Sequence, residues 1–163
     1  MNNGIGIVMN KIIIEPIGII HSPYITIKDV PKPPFFDEDI EAFAELNEKY
    51  SDGLKDLDGF SHAIILFYFH LSKEIHMYGK PSFEKDEHGI FAIRSPHRPN
   101  HIGLSIIKIN RIEKNKLFFC NVDMINNTPI IDIKPYIRDT DIKENVSCGW
   151  LEKHIQKRNN LKF

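Results

Sequence analysis

The stretch "GFSHAIILFYFHL" at residues 59–71 decides the fold class, because it is apolar at odd and even positions alike. A segment of this kind can be buried on both of its faces. β-Branched and aromatic side chains, which are enriched in strands, dominate it. The pattern therefore predicts either a strand buried on both faces or one stave of a β-barrel.

Further strands are predicted on both sides of this segment. "KIIIEPIGIIHSPY" (11–24) contains a proline and a glycine, which is typical of an edge or barrel strand with a bulge. A long strand running through Ile112 and the segment "LFFCNVDMI" (117–125) are predicted to form a hairpin across a turn at 113–116. The turn "NNTP" (126–129) leads into an alternating strand, "IIDIKPYI" (130–137).

Only two helices are predicted. Apolar residues at Ile40, Phe43, Leu46 and Tyr50 indicate an amphipathic helix within 38–54, and residues 150–158 are compatible with a short final helix. The chain shows no regular alternation of strand and helix. We therefore predict a mostly β fold, a single antiparallel β-barrel with one or two flanking helices.

The whole chain has the size of one domain, at 163 residues with a formal net charge of −1. We expect a flexible leader at 1–10, the barrel at 11–140 and a short basic C-terminal segment at 141–163. No apolar run is long enough to span a bilayer, so no membrane association is expected. Cys120 and Cys148 are far apart in sequence, which suits a reducing, cytoplasmic compartment better than a disulfide framework.

The segment "FAIRSPHRPNHIGLSIIKI" (91–109) is predicted to open as one apolar strand and close as another, with a cationic bend between them. Placed at an apolar strand end, Arg94 would need a carboxylate or a phosphate as partner, from the protein or from a ligand. The bend could equally be an ordinary charged surface loop. The chain contains no Rossmann, P-loop or nucleophile-elbow motif, and its histidines match no zinc pattern, so no metal is expected.

The blocks "PIGIIHSPY", "VPKPP", "GFSHAIILFYFH", "GIFAIRSPHRPNHIGLSIIKI" and "NNTPIIDIKPYI" together resemble the TrmO, or TsaA-like, family over about residues 12–139. The resemblance implies an S-adenosylmethionine-dependent tRNA methyltransferase of a non-Rossmann type. It implies a β-barrel, a homodimer and a cofactor near the subunit interface. The implied reaction methylates the exocyclic amine of threonylcarbamoyl-adenosine next to the tRNA anticodon.

The resemblance also assigns residues to the cofactor S-adenosylmethionine. The implied contacts are Pro31, Lys32, Pro33, His70, Leu71, Arg94, Leu104, Asn126, Asn127, Thr128 and Pro129. An arginine and amide-rich backbone would suit the carboxylate and ribose of the cofactor, and the two leucines would suit its adenine or thioether.

Residues on the substrate side are predicted from their chemistry. His97, Arg98 and Lys134, with the basic tail, could contact the tRNA anticodon loop. Asn100 or Asn126 could accept a hydrogen bond from the amine that is methylated. For Lys134, an ion pair with Asp132 on the same strand is favoured over a role in catalysis.

Three motifs depart from the usual family pattern. His101 stands where the family reads proline in "RPNPIG", which would loosen the bend slightly. Asn126 and Asn127 replace the Asp and Gly of "DGTP", and Asn127 can keep the turn because asparagine tolerates positive φ. Lys32 and Pro33 replace the Arg and Gln of "PRQ".

Other functions remain open at this point. The chain could be an S-adenosylmethionine-binding module that does not methylate tRNA, or a methyltransferase that acts on another substrate. It could also be an interaction domain whose basic bend contacts a partner protein. Binding of S-adenosylmethionine separates the first two possibilities from the third.

Overall fold

The computed structural model describes residues 12–31 and 40–160, with side chains as far as residue 156, and shows a closed six-stranded antiparallel barrel. The strands are β1 (Gly18–His21), β2 (Ala42–Leu46), β3 (His62–Tyr68), β4 (Tyr78–Gly79), β5 (His88–Gly89), β6 (Ile102–Glu113), β7 (Lys116–Cys120) and β8 (Pro129–Pro135). The α-helices are α1 (Arg138–Asp141) and α2 (Glu152–Asn160). The predicted mostly β barrel and the final helix are confirmed.

The barrel closes in the order β1-β2-β7-β6-β3-β8, and β4 and β5 pair with each other outside it. Closure occurs where Gly18 of β1 lies opposite Ile130 of β8. Gly18 also lies so close to β2 that a Cβ atom there would be 2.3 Å from the carbonyl oxygen of Glu45. Only glycine permits this approach of two backbones.

The core lies inside the barrel and follows the alternation of each strand. On β3, Ala63, Ile65 and Phe67 are buried, whereas Ile64 and Leu66 on the outer face are half-buried. The segment 59–71 is therefore a barrel stave, one of its two predicted states. The largest side chains with almost no exposure are Phe119, Ile20, Ile65, Ile90, Ile107, Leu117, Met124, Ile130 and Val122.

The predicted amphipathic helix within 38–54 is wrong where the structure describes it. Residues 42–46 form β2, which pairs with both β1 and β7, and a 3-10 turn follows at Glu48–Leu54. The apolar residues of this segment fit the period of a strand as well as that of a helix, because Ala42, Ala44 and Leu46 alternate as a buried strand face. Pairing with two neighbouring strands outweighs the local preference for helix.

The strand predicted before the cationic bend is also absent. Ile90–Ala92 is a 3-10 turn, and the segment between β3 and β6 carries only the two-residue strands β4 and β5. Likewise β7 ends at Cys120, so the predicted strand 117–125 is too long by five residues. Among the described residues, no helix has the length and apolar character needed to cross a membrane.

Three long connections leave the barrel at the same end, which we call the three-loop end. They are residues 22–41 between β1 and β2, 69–101 between β3 and β6, and 121–128 between β7 and β8. The pairing register places them together, because Tyr68 at the end of β3 lies opposite Ile102 at the start of β6. Phe67 in turn lies beside Ile130, at the start of β8.

Candidate functional site

The three-loop end collects most of the residues predicted to bind the cofactor. Pro31 lies in the first connection, while Lys32 and Pro33 lie outside the described residues. His70, Leu71 and Arg94 belong to the second connection. The turn at 126–129 belongs to the third and runs into β8, and Leu104 is the third residue of β6.

The turn at 126–129 is held against the end of β1. The backbone N–H of Asn126 donates to the carbonyl of Tyr24 at 2.8 Å, and that of Asn127 donates to the carbonyl of Ile20 at 2.8 Å. Asn127 has a φ of 64°, so the prediction that it would keep the turn through a left-handed conformation is confirmed.

Two side chains of this turn are already used within the protein. The Asn126 Oδ1 atom accepts the backbone N–H of Ser22 at 3.2 Å, and the buried Thr128 hydroxyl donates to the carbonyl of Ile125 at 2.7 Å. No described residue accepts a hydrogen bond from the amide NH2 of Asn126, so this group can donate to a ligand. As a proton acceptor, Asn126 has only the remaining lone pair of its oxygen.

His70 and Leu71 follow directly after β3. The backbone N–H of Phe69 donates to the carbonyl of His101 at 2.8 Å, which ties this segment to the end of the cationic bend. Leu71 is 51% exposed and can contact a ligand. Burial lowers the pKa of His70, opposed by a hydrogen bond with the backbone of Tyr68, so its imidazole is neutral at physiological pH.

The cationic bend, residues 94–101, is braced from both sides. His97 stacks on His76 with ring centroids 5.1 Å apart, and a hydrogen bond of 3.0 Å joins its Nδ1 atom to the Ser72 hydroxyl. Arg98 donates through Nη1 to the carbonyl of Ile93 at 3.2 Å. One face of His97 is therefore occupied, and Arg98 holds the bend together as well as contributing charge.

His101 does not loosen the bend as expected from its replacement of a proline. Its backbone N–H donates to the carbonyl of Arg98 at 3.0 Å, and its Nδ1–H donates to the carbonyl of Pro96 at 2.9 Å. Asn100 and His101 have φ values of 64° and 49°. Since proline is fixed near −65°, it could not adopt this conformation at position 101.

Arg94 differs from its predicted surroundings. It is exposed, so the expected cost of an unpaired guanidinium at an apolar strand end does not arise. Its side chain makes no hydrogen bond or ion pair with any described residue, although its charge acts on the carboxyl of Asp123. A guanidinium in this position can bind an anion from solution.

Asp123 is a residue of the three-loop end that the sequence interpretation missed. Its Oδ1 atom accepts a hydrogen bond from the buried Ser105 hydroxyl. Burial raises the pKa of Asp123, while the hydrogen bond from Ser105 and the charge of Arg94 act in the opposite direction. The signal in the sequence is one acid flanked by Val122 and Met124, both fully buried.

Lys134 does not join this group. It lies five positions along β8 from Pro129, about 16 Å at the usual rise of a strand. Its Nζ atom lies 2.5 Å from Asp132 Oδ2, which confirms the predicted ion pair. Lys134 therefore sits nearer the opposite end of the barrel.

The opposite end of the barrel carries a groove of about 250 Å³, lined by residues such as Leu54, Leu57 and Phe60. None of the predicted site residues contributes to it. Within the described ranges, no group of three or more His, Cys, Asp or Glu side chains could hold a metal ion.

Comparison with known proteins gives one family. The family model described as the tRNA-methyltransferase O N-terminal domain matches residues 19–142. A probable S-adenosyl-L-methionine-binding protein of Pyrococcus abyssi is 43% identical over 143 residues, which cover 88% of this chain and 78% of that protein. The human tRNA (adenine(37)-N6)-methyltransferase is 33% identical over 143 residues, which cover 83% of this chain.

Solved structures show the same fold. A crystal structure of TrmO from Pseudomonas aeruginosa superposes with a TM-score of 0.73 at 28% identity, covering 86% of this chain and 63% of that one. Another TrmO crystal structure gives a TM-score of 0.75 at 29% identity. The matched region spans 32% of the human enzyme and 63% of the Pseudomonas chain.

Proposed function

Because the chain belongs to the tRNA-methyltransferase O N-terminal domain family, we propose that it is an S-adenosylmethionine-dependent tRNA methyltransferase. Its substrate in this proposal is the exocyclic amine of threonylcarbamoyl-adenosine next to the anticodon. The human relative is named a tRNA (adenine(37)-N6)-methyltransferase, and the Pyrococcus relative a probable S-adenosyl-L-methionine-binding protein. The first name agrees with methylation of an exocyclic adenine amine in tRNA, and the second agrees with the cofactor.

The observation that carries the proposal is the exposed Arg94, the first residue of the braced cationic bend at the three-loop end. A cofactor bound there would present its carboxylate to the guanidinium, whose planar fork matches that group. The exposed Leu71 and Leu104 offer apolar surface near the same bend. A neutral His70 adds a hydrogen-bonding group without repelling a sulfonium cation.

When bound, S-adenosylmethionine supplies an electrophilic methyl group, so the protein must align the amine and remove one proton. The site can do this by positioning, which is effective when the reacting atoms are held in line and water is excluded. Asp123 is a stronger candidate for the proton acceptor than Asn100 or Asn126. It is a carboxylate whose pKa burial raises, and it therefore binds a proton more readily.

For the tRNA, His97 and Arg98 are the described residues of the bend that could contact the anticodon loop. An unpaired loop base needs little energy to leave the helix stack. Of the predicted basic tail, Lys153 and His154 are bound to Glu84. The side chains of Lys157 and Arg158, and the whole of Lys162, lie outside what the structure describes.

A homodimer belongs to the same proposal. The outer face shared by β3 and β6 exposes Tyr68, Leu104 and Ile106, the last two at 44% each. A second copy covering this face would place a subunit boundary beside Leu104. We expect Ile106→Glu to give monomers in a measurement of molar mass, whereas Ile25→Glu, at another exposed apolar position, should leave the dimer intact.

The proposed compartment is the cytoplasm. Both Cys120 and Cys148 are free thiols, which agrees with a reducing environment.

A second candidate function is binding of S-adenosylmethionine without methylation of tRNA. The observation that favours it is the Pyrococcus relative, which is named a probable S-adenosyl-L-methionine-binding protein and is covered to 78% of its length by the matched region. Both functions require Arg94 and the cofactor, so only product formation separates them.

Mass spectrometry of tRNA nucleosides tests the choice in cells that lack this protein and have no second enzyme of the family. We expect methylated threonylcarbamoyl-adenosine to disappear and its unmethylated precursor to accumulate. An unchanged level of the methylated nucleoside would contradict the tRNA assignment. The control is the same strain complemented with the unaltered chain.

A further inference from the structure

The C-terminal segment at 149–156, which we call the C-terminal clamp, packs against the long connection between β3 and β6. It lies beyond the residues that the family model matches. The indole N–H of Trp150 donates to the carbonyl of Ala92 at 3.0 Å. The indole ring also stacks on His88, with centroids 4.2 Å apart and planes inclined by 14°.

Glu84 anchors the clamp from the other side. Its side chain is only 3% exposed, and its Oε2 atom lies 2.7 Å from Lys153 Nζ and 2.8 Å from His154 Nε2. The backbone N–H of Lys85 donates to Oε1 at 2.6 Å. The hydrogen bonds from Lys153 and His154 hold the pKa of Glu84 well below its usual range.

A carboxylate this enclosed needs several donors, and without them its burial would be unfavourable. Here α2 supplies two of the donors and the connection supplies the rest. The clamp and the connection are therefore joined by an ionic contact at Glu84, by the stack of Trp150 on His88 and by the hydrogen bond from the Trp150 indole to the backbone of Ala92.

The clamp contacts the protein beside the cationic bend. Ala92, which accepts the Trp150 hydrogen bond, lies two residues before Arg94, and Ile93 between them accepts the hydrogen bond from Arg98. The connection has little regular structure of its own, since β4 and β5 contain two residues each. Segments with few hydrogen bonds of their own open locally at low free energy unless other contacts restrain them.

We propose that Trp150 and Lys153 are positioning residues for Arg94. In this proposal the C-terminal clamp holds Ala92 and Ile93, directly before the cationic bend, in place for cofactor binding. This inference rests on the proposed binding of S-adenosylmethionine at the three-loop end. A restrained guanidinium loses less conformational freedom when it binds a carboxylate, so the clamp increases affinity without touching the ligand.

Two conservative variants test the clamp. Trp150→Phe keeps the aromatic stack and removes the indole N–H, and Lys153→Met keeps the aliphatic stem and removes the charge. The matched control is Lys116→Met, because Lys116 pairs with Glu45, a carboxylate that also binds a histidine, on another wall of the barrel. Lys153→Arg serves as the rescue variant, since it restores a cation opposite Glu84.

The first measurement is titration calorimetry with S-adenosylmethionine. We expect Trp150→Phe and Lys153→Met each to raise the Kd about three- to tenfold, the size expected for losing one hydrogen bond. Lys116→Met and Lys153→Arg should bind like the unaltered chain. In an Arg94→Ala background, Trp150→Phe should have no further effect on the Kd, because the group that it positions is gone.

Hydrogen exchange gives a second readout that needs no ligand. Backbone amides of residues 90–98 should exchange faster in both clamp variants, while those of β3 and β6 should be unchanged. Unaltered Kd values, or equal effects of Trp150→Phe with and without Arg94, would overturn the inference. If the unaltered chain fails to bind S-adenosylmethionine, the proposed function fails, and unchanged exchange at 90–98 would then reject the clamp separately.

Discussion

Replacing Arg94 by alanine should abolish most cofactor affinity and leave the fold intact. The side chain is exposed and makes no hydrogen bond or ion pair with a described residue. Surface substitutions of this kind usually change the free energy of unfolding by no more than about 0.5 kcal/mol. We therefore expect the Arg94→Ala variant to unfold at the same temperature as the unaltered chain, within a few degrees.

The effect on binding follows from the hydrogen bonds that the guanidinium would make. A hydrogen bond to a charged group contributes about 1.5–3 kcal/mol, and Arg94 is open to solvent, so one such bond is the reasonable scale for its net contribution. The expected rise in Kd for S-adenosylmethionine is about 10- to 150-fold. Arg94→Lys keeps the charge without the planar fork, so its Kd should lie between those of the unaltered chain and Arg94→Ala.

The assay is titration calorimetry, combined with thermal unfolding of the same samples. Arg138→Ala is the matched control, because Arg138 is an exposed arginine whose described ion pair is with the adjacent Asp139. A folded Arg94→Ala variant that binds S-adenosylmethionine within twofold of the unaltered chain would refute the assignment of Arg94 to the cofactor.

Three further predictions concern the three-loop end. His101→Pro should destabilise the protein by about 3 kcal/mol in chemical unfolding. Proline cannot adopt a φ of 49°, and it lacks the N–H that donates to the carbonyl of Arg98. An unchanged unfolding midpoint would contradict this backbone conformation. Asn127→Gly should be tolerated, whereas Asn127→Ala should lower the free energy of unfolding by about 1 kcal/mol, because only glycine readily keeps a φ of 64°. Equal stability of the two variants would contradict a left-handed conformation at this residue. Asp123→Asn should raise the unfolding temperature at neutral pH and lower the methyl-transfer rate more than the affinity for S-adenosylmethionine. Burial raises the pKa of Asp123 in the folded state, so its negative charge destabilises the fold above that pKa and no longer does so below about pH 3.8. Below that pH the unaltered chain and Asp123→Asn should be equally stable. A difference in stability that persists there would argue against burial of the charge as the cause.

The strands of the barrel could be predicted because their patterns have one structural solution. The segment 59–71 is rich in aromatic and aliphatic residues and β6 in isoleucine, and no helix period competes with either. The apolar residues of 42–46 fit the period of a helix as well as that of a strand, and only pairing with β1 and β7 on either side selects the strand. Pairing partners distant in sequence cannot be read from a local window.

The site could be predicted in part, for a similar reason. The turn around Asn127 depends on local backbone chemistry, so its positive φ was predictable. Asp123 becomes notable only when Ser105 and the buried chain around it enclose its carboxyl. The pairing of Glu84 with Lys153 joins residues far apart in sequence, and nothing near either residue indicates it.

Methyl transfer by the purified chain tests the central proposal most directly. Two preparations of the same tRNA are compared, one carrying threonylcarbamoyl-adenosine next to the anticodon and one with unmodified adenosine, each with S-adenosylmethionine labelled in its methyl group. We predict incorporation of label into the modified tRNA, recovered as methylated threonylcarbamoyl-adenosine, and no incorporation into the unmodified tRNA. Absence of transfer by a chain that binds S-adenosylmethionine, or equal transfer to both tRNAs, would contradict the proposed function.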